Sequence, residues 1–273
     1  GSYNFAVVRY NTDGSLDTSF NPGPAVNTLG AAVAYTENAS AIALDASVAV
    51  FDADLAALNG GAGNYSGASV TLARAGGSAA EDVFSARGNL AFTAGSAVLS
   101  GTTVGTVVNT GGTLTISFNA NATQARVNEV LSSIGYANTS DAPPASVQVD
   151  WSFSDGNTGS QGSGGALTAA GSTTVNITAV NDAPTVANAV PDQNVTQGAA
   201  FNFQFAGNSF EDLDGDTLTY SAQLAGGGTL PTWLSFDPVT RTFSGTPANG
   251  DVGTLSIDVI ASDGKGGTVT DTF

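Results

Sequence analysis

The 273-residue chain contains no cysteine, methionine or histidine. These absences remove disulfide staples, thiol and imidazole catalysis, and the usual ligands of zinc. Cations are also scarce: Arg9, Arg74, Arg87, Arg126, Arg241 and Lys265 face 23 carboxylates, for a net charge of −17. Nucleic acid and anionic membrane surfaces are therefore poor partners, whereas divalent cations are good ones. No apolar run reaches bilayer-spanning length, so no membrane insertion is expected, and no signal peptide is visible. Charged residues make up only 11% of the chain. The acidity thus resides in a few placed carboxylates and not in a disordered acidic tail. Phe273 falls inside a strand pattern, as the end of an excised segment would.

What is present is a β sequence of Gly, Thr, Ser and Asn with short alternating apolar runs. Residues 3–20 read as a strand, a tight turn over Asn11–Gly14 and a short continuation. Residues 21–182 carry strand signals at 41–51, 69–72, 89–93, 113–118, 146–153 and 173–180. In the fifth, Val147, Val149, Trp151 and Phe153 share one face, which predicts a half-buried strand and a core position for Trp151. One helix interrupts the pattern: Val127, Val130, Leu131 and Ile134 fall at i, i+3, i+4 and i+7, with Asn121 or Thr123 available as cap. Residues 183–273 alternate at Phe201–Phe205, Leu218–Leu224 and Leu255–Ala261, and Trp233 lies in an apolar run. Strands of this length predict an all-β chain of two tandem immunoglobulin-like antiparallel sandwiches, the first with one short helix.

The carboxylates recur in a pattern. At an offset of 160 residues, Thr36-Glu37-Asn38 meets Thr196-Gln197-Gly198, and Asp52-Ala53-Asp54 meets Asp212-Leu213-Asp214. The linker Asn181-Asp182-Ala183-Pro184 meets Asn21-Pro22-Gly23-Pro24, and a Ser-Asp-Gly closes a long strand in each module, at Asp155 and at Asp263. Pro184 makes the linker short and stiff. Aspartate is common in turns, where it caps its own backbone, but repetition at equal offsets favours cation ligands. Calcium takes about six to eight oxygen ligands, more than one linker supplies. Asp216 reads equally as turn former or ligand, and Glu211 as solvent-facing. The run Asp212–Asp216 is not an EF-hand loop, since its glycine is fourth and Gln223 stands where the closing glutamate belongs.

Together these elements resemble a cadherin-type calcium junction. Thr123–Leu131, Ile134–Ser146 and Val180–Pro184 are similar to cadherin-like repeats of RTX-type bacterial adhesins. Asp212–Tyr220, Leu230–Phe236, Arg241–Pro247 and Val259–Gly264 are similar to a dystroglycan-type cadherin-like domain. Arg9–Phe20 resembles the bacterial delta-60 repeat. The resemblance implies calcium ligands at Glu37 and Asp141 of the first module, Asn181 and Asp182 of the linker, and Asp212, Asp214 and Asp263 of the second. The equivalents Asp52, Asp54 and Asp155 imply a weaker or empty pole, because Pro22 stands where the other linker has Asp182. Ala179 and Ala183 occupy the outer positions of the Asp-x-Asn-Asp-Asn cadherin linker, so fewer ions are expected than in an animal cadherin.

The expected function is a non-enzymatic, calcium-rigidified module of a large secreted or cell-surface bacterial adhesin. Its partners would be neighbouring repeats of the same chain. A rival reading is calcium-dependent binding of a cell-surface glycan or of another adhesin copy, which exposed aromatics or a groove beside Tyr65 and Tyr136 would favour. Paired carboxylates can serve a glycosidase, but these cluster in turns with no basic residue to organise a cleft.

Overall fold

The computed structural model describes residues 29–156 and 166–273, and the chain divides into two compact units, residues 1–179 and 180–273. The expected delta-60-like segment, residues 1–20, lies outside the described residues.

The first unit opens with β1 (Ala32–Thr36), β2 (Ile42–Ala43), α1 (Ala53–Ala57), β3 (Ser69–Arg74), β4 (Asp82–Ala86) and β5 (Leu90–Thr93). It continues with β6 (Ser96–Leu99), β7 (Thr102–Thr110), β8 (Thr113–Phe118), α2 (Gln124–Ser132), β9 (Ile134–Asn138), β10 (Ser146–Ser154) and β11 (Thr168–Thr178). Eight strands form one sheet, in the order β1-β11-β10-β3-β8-β7-β6-β5, and β2-β9-β4 form another. One hydrophobic core joins them, with Leu72, Leu114 and Trp151 from the large sheet and Phe84, Ile134 and Tyr136 from the small one. β10 alternates as its sequence predicts: Val147, Val149, Trp151 and Phe153 are buried, and the indole Nε1 donates to Thr173 Oγ1 at 3.1 Å.

A polar tie crosses the core. Arg74 on β3 donates from Nε and Nη2 to Asp82 on β4 at 2.7 and 2.8 Å. The hydroxyl of Tyr136 and the amide of Asn138, both on β9, donate to the same carboxylate at 2.5 and 3.0 Å. A fully buried carboxylate is tolerated here because charge and hydrogen-bonding capacity are both matched.

Three local details depart from the pattern-based expectation. The strand expected over 41–51 shrinks to β2, because Asp45 Oδ1 accepts both the N–H and the hydroxyl of Ser47 at 2.8 Å. Such a local side-chain turn competes with the strand ladder. Asp52-Ala53-Asp54 is not an open loop, since Asp52 Oδ1 accepts the N–H of Leu55 at 2.9 Å and caps a second helix, α1. The pairing of β1 with β11 is parallel, with Ala32 opposite Thr174. The helix α2 forms where expected with Thr123 as its cap, while Ile134 turns out of it to begin β9.

The second unit contains β12 (Thr185–Val186), β13 (Phe201–Gln204), β14 (Phe210–Glu211), β15 (Thr219–Leu224), β16 (Leu234–Asp237), β17 (Thr242–Gly245), β18 (Ile257–Ser262) and β19 (Thr268–Thr272). They make sheets β13-β17-β16 and β15-β18-β19 and the pair β12-β14. Aromatic rings fill the space between: Phe205 meets Tyr220 edge-on at 5.4 Å and Phe236 lies 4.6 Å from Phe243. Trp233 packs half-buried against this cluster. The antiparallel register of β15 on β18 sets Thr219 opposite Ser262. Two loops therefore meet at one end of the unit, the one before Thr219 and the one after Ser262.

Candidate metal centre

Those two loops carry Asp212, Asp214 and Asp216 on one side and Asp263 on the other. Gly215 takes a φ of 74°, which an L side chain would resist. The turn it makes is closed by its own N–H to the Asp212 carbonyl at 3.2 Å and by Asp216 N–H to Asp212 Oδ1 at 3.1 Å. Each of the three aspartates is half-buried, and each places one carboxylate oxygen within 4.8 Å of the other two. Among the described residues, Asp212 Oδ2 and Asp216 Oδ2 are sealed from solvent with no hydrogen-bond donor. Sealed, donorless carboxylate oxygens are costly unless a cation meets them.

Asn181 and Asp182, sequence-predicted ligands, belong to this same unit. The Asp182 N–H donates to Asp214 Oδ2 at 2.7 Å, and the Asn181 side-chain amide donates to Asp263 Oδ2 at 2.8 Å. Asp263 is buried and fully engaged: Oδ1 also accepts the N–H groups of Lys265, Gly266 and Gly267 at 2.7, 3.1 and 2.9 Å. These bonds, the Asn181 amide foremost, hold its carboxyl below the ordinary value. Gly267 is required by contact, since a Cβ there would lie 2.3 Å from Asp263 Oδ2 and 2.8 Å from Ala183 Cα. Two participants were not assigned from sequence. Asp216, which the sequence reads equally as turn former or ligand, joins Asp212 and Asp214, and Lys265 places Nζ 2.7 Å from Asp216 Oδ1. Its ammonium pKa is raised by that bond and by the charges of Asp216, Asp214 and Asp212.

The remaining candidates lie at the two ends of β10 in the first unit. Glu37, buried at the end of β1, and exposed Asp141 offer carboxylate oxygens within 4.8 Å of each other. Beyond the other end, Asp155 is buried and Oδ1 accepts the N–H of Leu167 at 2.9 Å. Asp52 is buried as the α1 cap, and burial together with the charges of Asp155 and Asp54 pushes its carboxyl pKa up. Asp54 is exposed in the first turn of α1. Among the described residues, these three carboxylates do not converge as the trio of the second unit does.

The donor set of the second unit fits a hard divalent cation. It is all oxygen, partly buried, and built on a glycine turn, the chemistry that calcium prefers. No helix among the described residues is long and apolar enough to cross a membrane.

Comparison with known proteins agrees with an Ig-like second unit. Residues 183–273 match a family model described as "Putative Ig domain", and residues 1–20 match a "Domain of unknown function (DUF5122) beta-propeller". No curated protein matches the chain. Among solved structures, 89% of the chain is similar to human CDH23 EC21-23, at 16% identity, 70% coverage of that chain and a TM-score of 0.38. The same share is similar to the protocadherin GammaB4 extracellular domain, at 14% identity and a TM-score of 0.33. Mouse PcdhgC3 EC1-3 is similar over 90% of the chain and 64% of its own, at 12% identity and a TM-score of 0.35. The chain spans only 33% of the protocadherin GammaB4 structure.

Proposed function

We propose that this chain is a calcium-stabilised, non-enzymatic structural module of a large secreted or surface-attached bacterial adhesion protein. The observation that carries the reading is the carboxylate trio Asp212, Asp214 and Asp216, with two sealed oxygens lacking donors among the described residues. Three like charges this close repel one another, and a divalent ion turns that repulsion into cohesion. The chain's own residues do the rest. Asp214 and Asp263 hold Asn181 and Asp182 against the loops, so an ion on the trio fixes the stretch leading into the second sandwich to that sandwich. A module whose entry segment stiffens on binding calcium suits repeated extracellular chains that bear load, and its natural partners are neighbouring repeats or another copy.

The glycan-binding alternative has no comparable support. Tyr65 and Tyr136, the aromatics that would flank a groove on that reading, are both fully buried.

The test is thermal unfolding of the chain with chelator and with millimolar calcium. A ligand that binds only the folded state at ten times its Kd adds about 1.4 kcal/mol. We expect the second-unit transition to rise with calcium, and Asp182→Ala to weaken that response while both units keep their strand signal. Superimposable curves would overturn the calcium reading.

A further inference from the structure

We propose that Lys265 is a tethered competitor for the cation at this pole, a built-in brake on calcium affinity. The inference rests on the calcium reading above and concerns how that site is regulated. Lys265 is the only lysine in the chain, and its Nζ lies 2.7 Å from Asp216 Oδ1. The root of the side chain is fixed, because the Lys265 N–H donates to Asp263 Oδ1 at 2.7 Å. Its head is not: the side chain is 57% exposed, while that of Asp216 is only 17% exposed. The ammonium thus sits on Asp216, at the exposed edge of the trio, on a flexible four-carbon stem.

Charge and reach both make this contact provisional. One ammonium offsets only part of the charge of three carboxylates. It meets the outer oxygen of Asp216, while the sealed Oδ2 atoms of Asp212 and Asp216 have no donor among the described residues. Those inner oxygens suit a small dication, which would share a carboxylate with a positive charge already in place. Binding then requires the ammonium to swing into solvent, which a compact, strongly hydrated charge does readily. The consequence is a site that is partly neutralised without metal and fills only at high calcium. Extracellular calcium modules work in such a range, with Kd of about 10⁻⁴–10⁻³ M.

Calcium calorimetry on the full chain tests this, comparing wild type with Lys265→Met, which keeps length without charge, and Lys265→Arg, which keeps charge. We expect the Met variant to bind about fivefold tighter and to melt slightly lower without calcium, the scale of one exposed ion pair. The Arg variant should stay near wild type. A second measurement follows acylation of Lys265 in the wild-type chain by peptide mass, and calcium should accelerate it as the ammonium is released. Wild-type binding that the Met variant leaves equal or weakens would overturn the proposal alone, as would an acylation rate that calcium does not raise. No binding in any of the three proteins would overturn the calcium reading and this inference together. Binding confined to the Met variant would support the competitor and remove calcium from the native pole.

Discussion

Neutralising one carboxylate of the trio separates repulsion from ligation, because the two effects have opposite signs. Asp212→Asn keeps the oxygen that accepts the Asp216 N–H and removes one negative charge. The three ligand oxygens lie within 4.8 Å of one another. At that spacing a pair of like charges repels by about 0.9 kcal/mol in water and about 3.5 kcal/mol at an effective dielectric of about 20. The site is half-buried, and Lys265 already screens its outer edge, so the net relief falls near the lower figure, about 1 kcal/mol. In chelator the variant should therefore be more stable than wild type, with the second-unit transition about 4–8 °C higher for a domain of this size. In millimolar calcium the order should reverse, since the wild type gains a ligated ion and the variant has lost a charged ligand. Differential scanning calorimetry in both buffers reads the crossing. A variant that melts below wild type in chelator yet still responds fully to calcium would refute the repulsive-knot argument.

Three further outcomes follow from other parts of the molecule. Asp82→Ala strands the Arg74 guanidinium against the core and should lower first-unit stability by about 3–5 kcal/mol in chemical denaturation, with no effect on calcium binding. Burial pushes the Tyr65 phenol up to about 12. A raised folded-state pKa contributes stability that is full below the unfolded value of about 10 and is lost as pH rises through 12. The first unit should thus lose stability between those values, and Tyr65→Phe should flatten that part of the pH profile. Gly267→Ala drives a methyl into Asp263 Oδ2 and Ala183 and should destabilise the second unit by about 1–3 kcal/mol, with weaker calcium binding measured by calorimetry.

Local periodicity was enough to place the all-β class, the buried face of β10 with Trp151 and the body of the helix α2. Each of these depends on spacing along the chain, since a period of 2 or of 3.6 selects a face wherever the segment goes. The internal repeat at an offset of 160 residues read Asp52-Ala53-Asp54 as the twin of Asp212-Leu213-Asp214. The two diverge because a cap bond to Leu55 is available in one and a glycine turn at 215 in the other. The aromatic residues Tyr65 and Tyr136, open to either role on sequence, are buried by the meeting of the two sheets.

Sequence alone therefore located several of the longer strands, β8, β10, β15 and β18 among them, and the residue types that could hold a cation. Tertiary structure decided which of those carboxylates share a site. Asp216 and Lys265 stand 49 positions apart in the chain, and only the register of β15 on β18, Thr219 opposite Ser262, brings their loops to one end. A strand pairing is a long-range choice among many registers, set by the packing of whole sheets, and no local spacing records it.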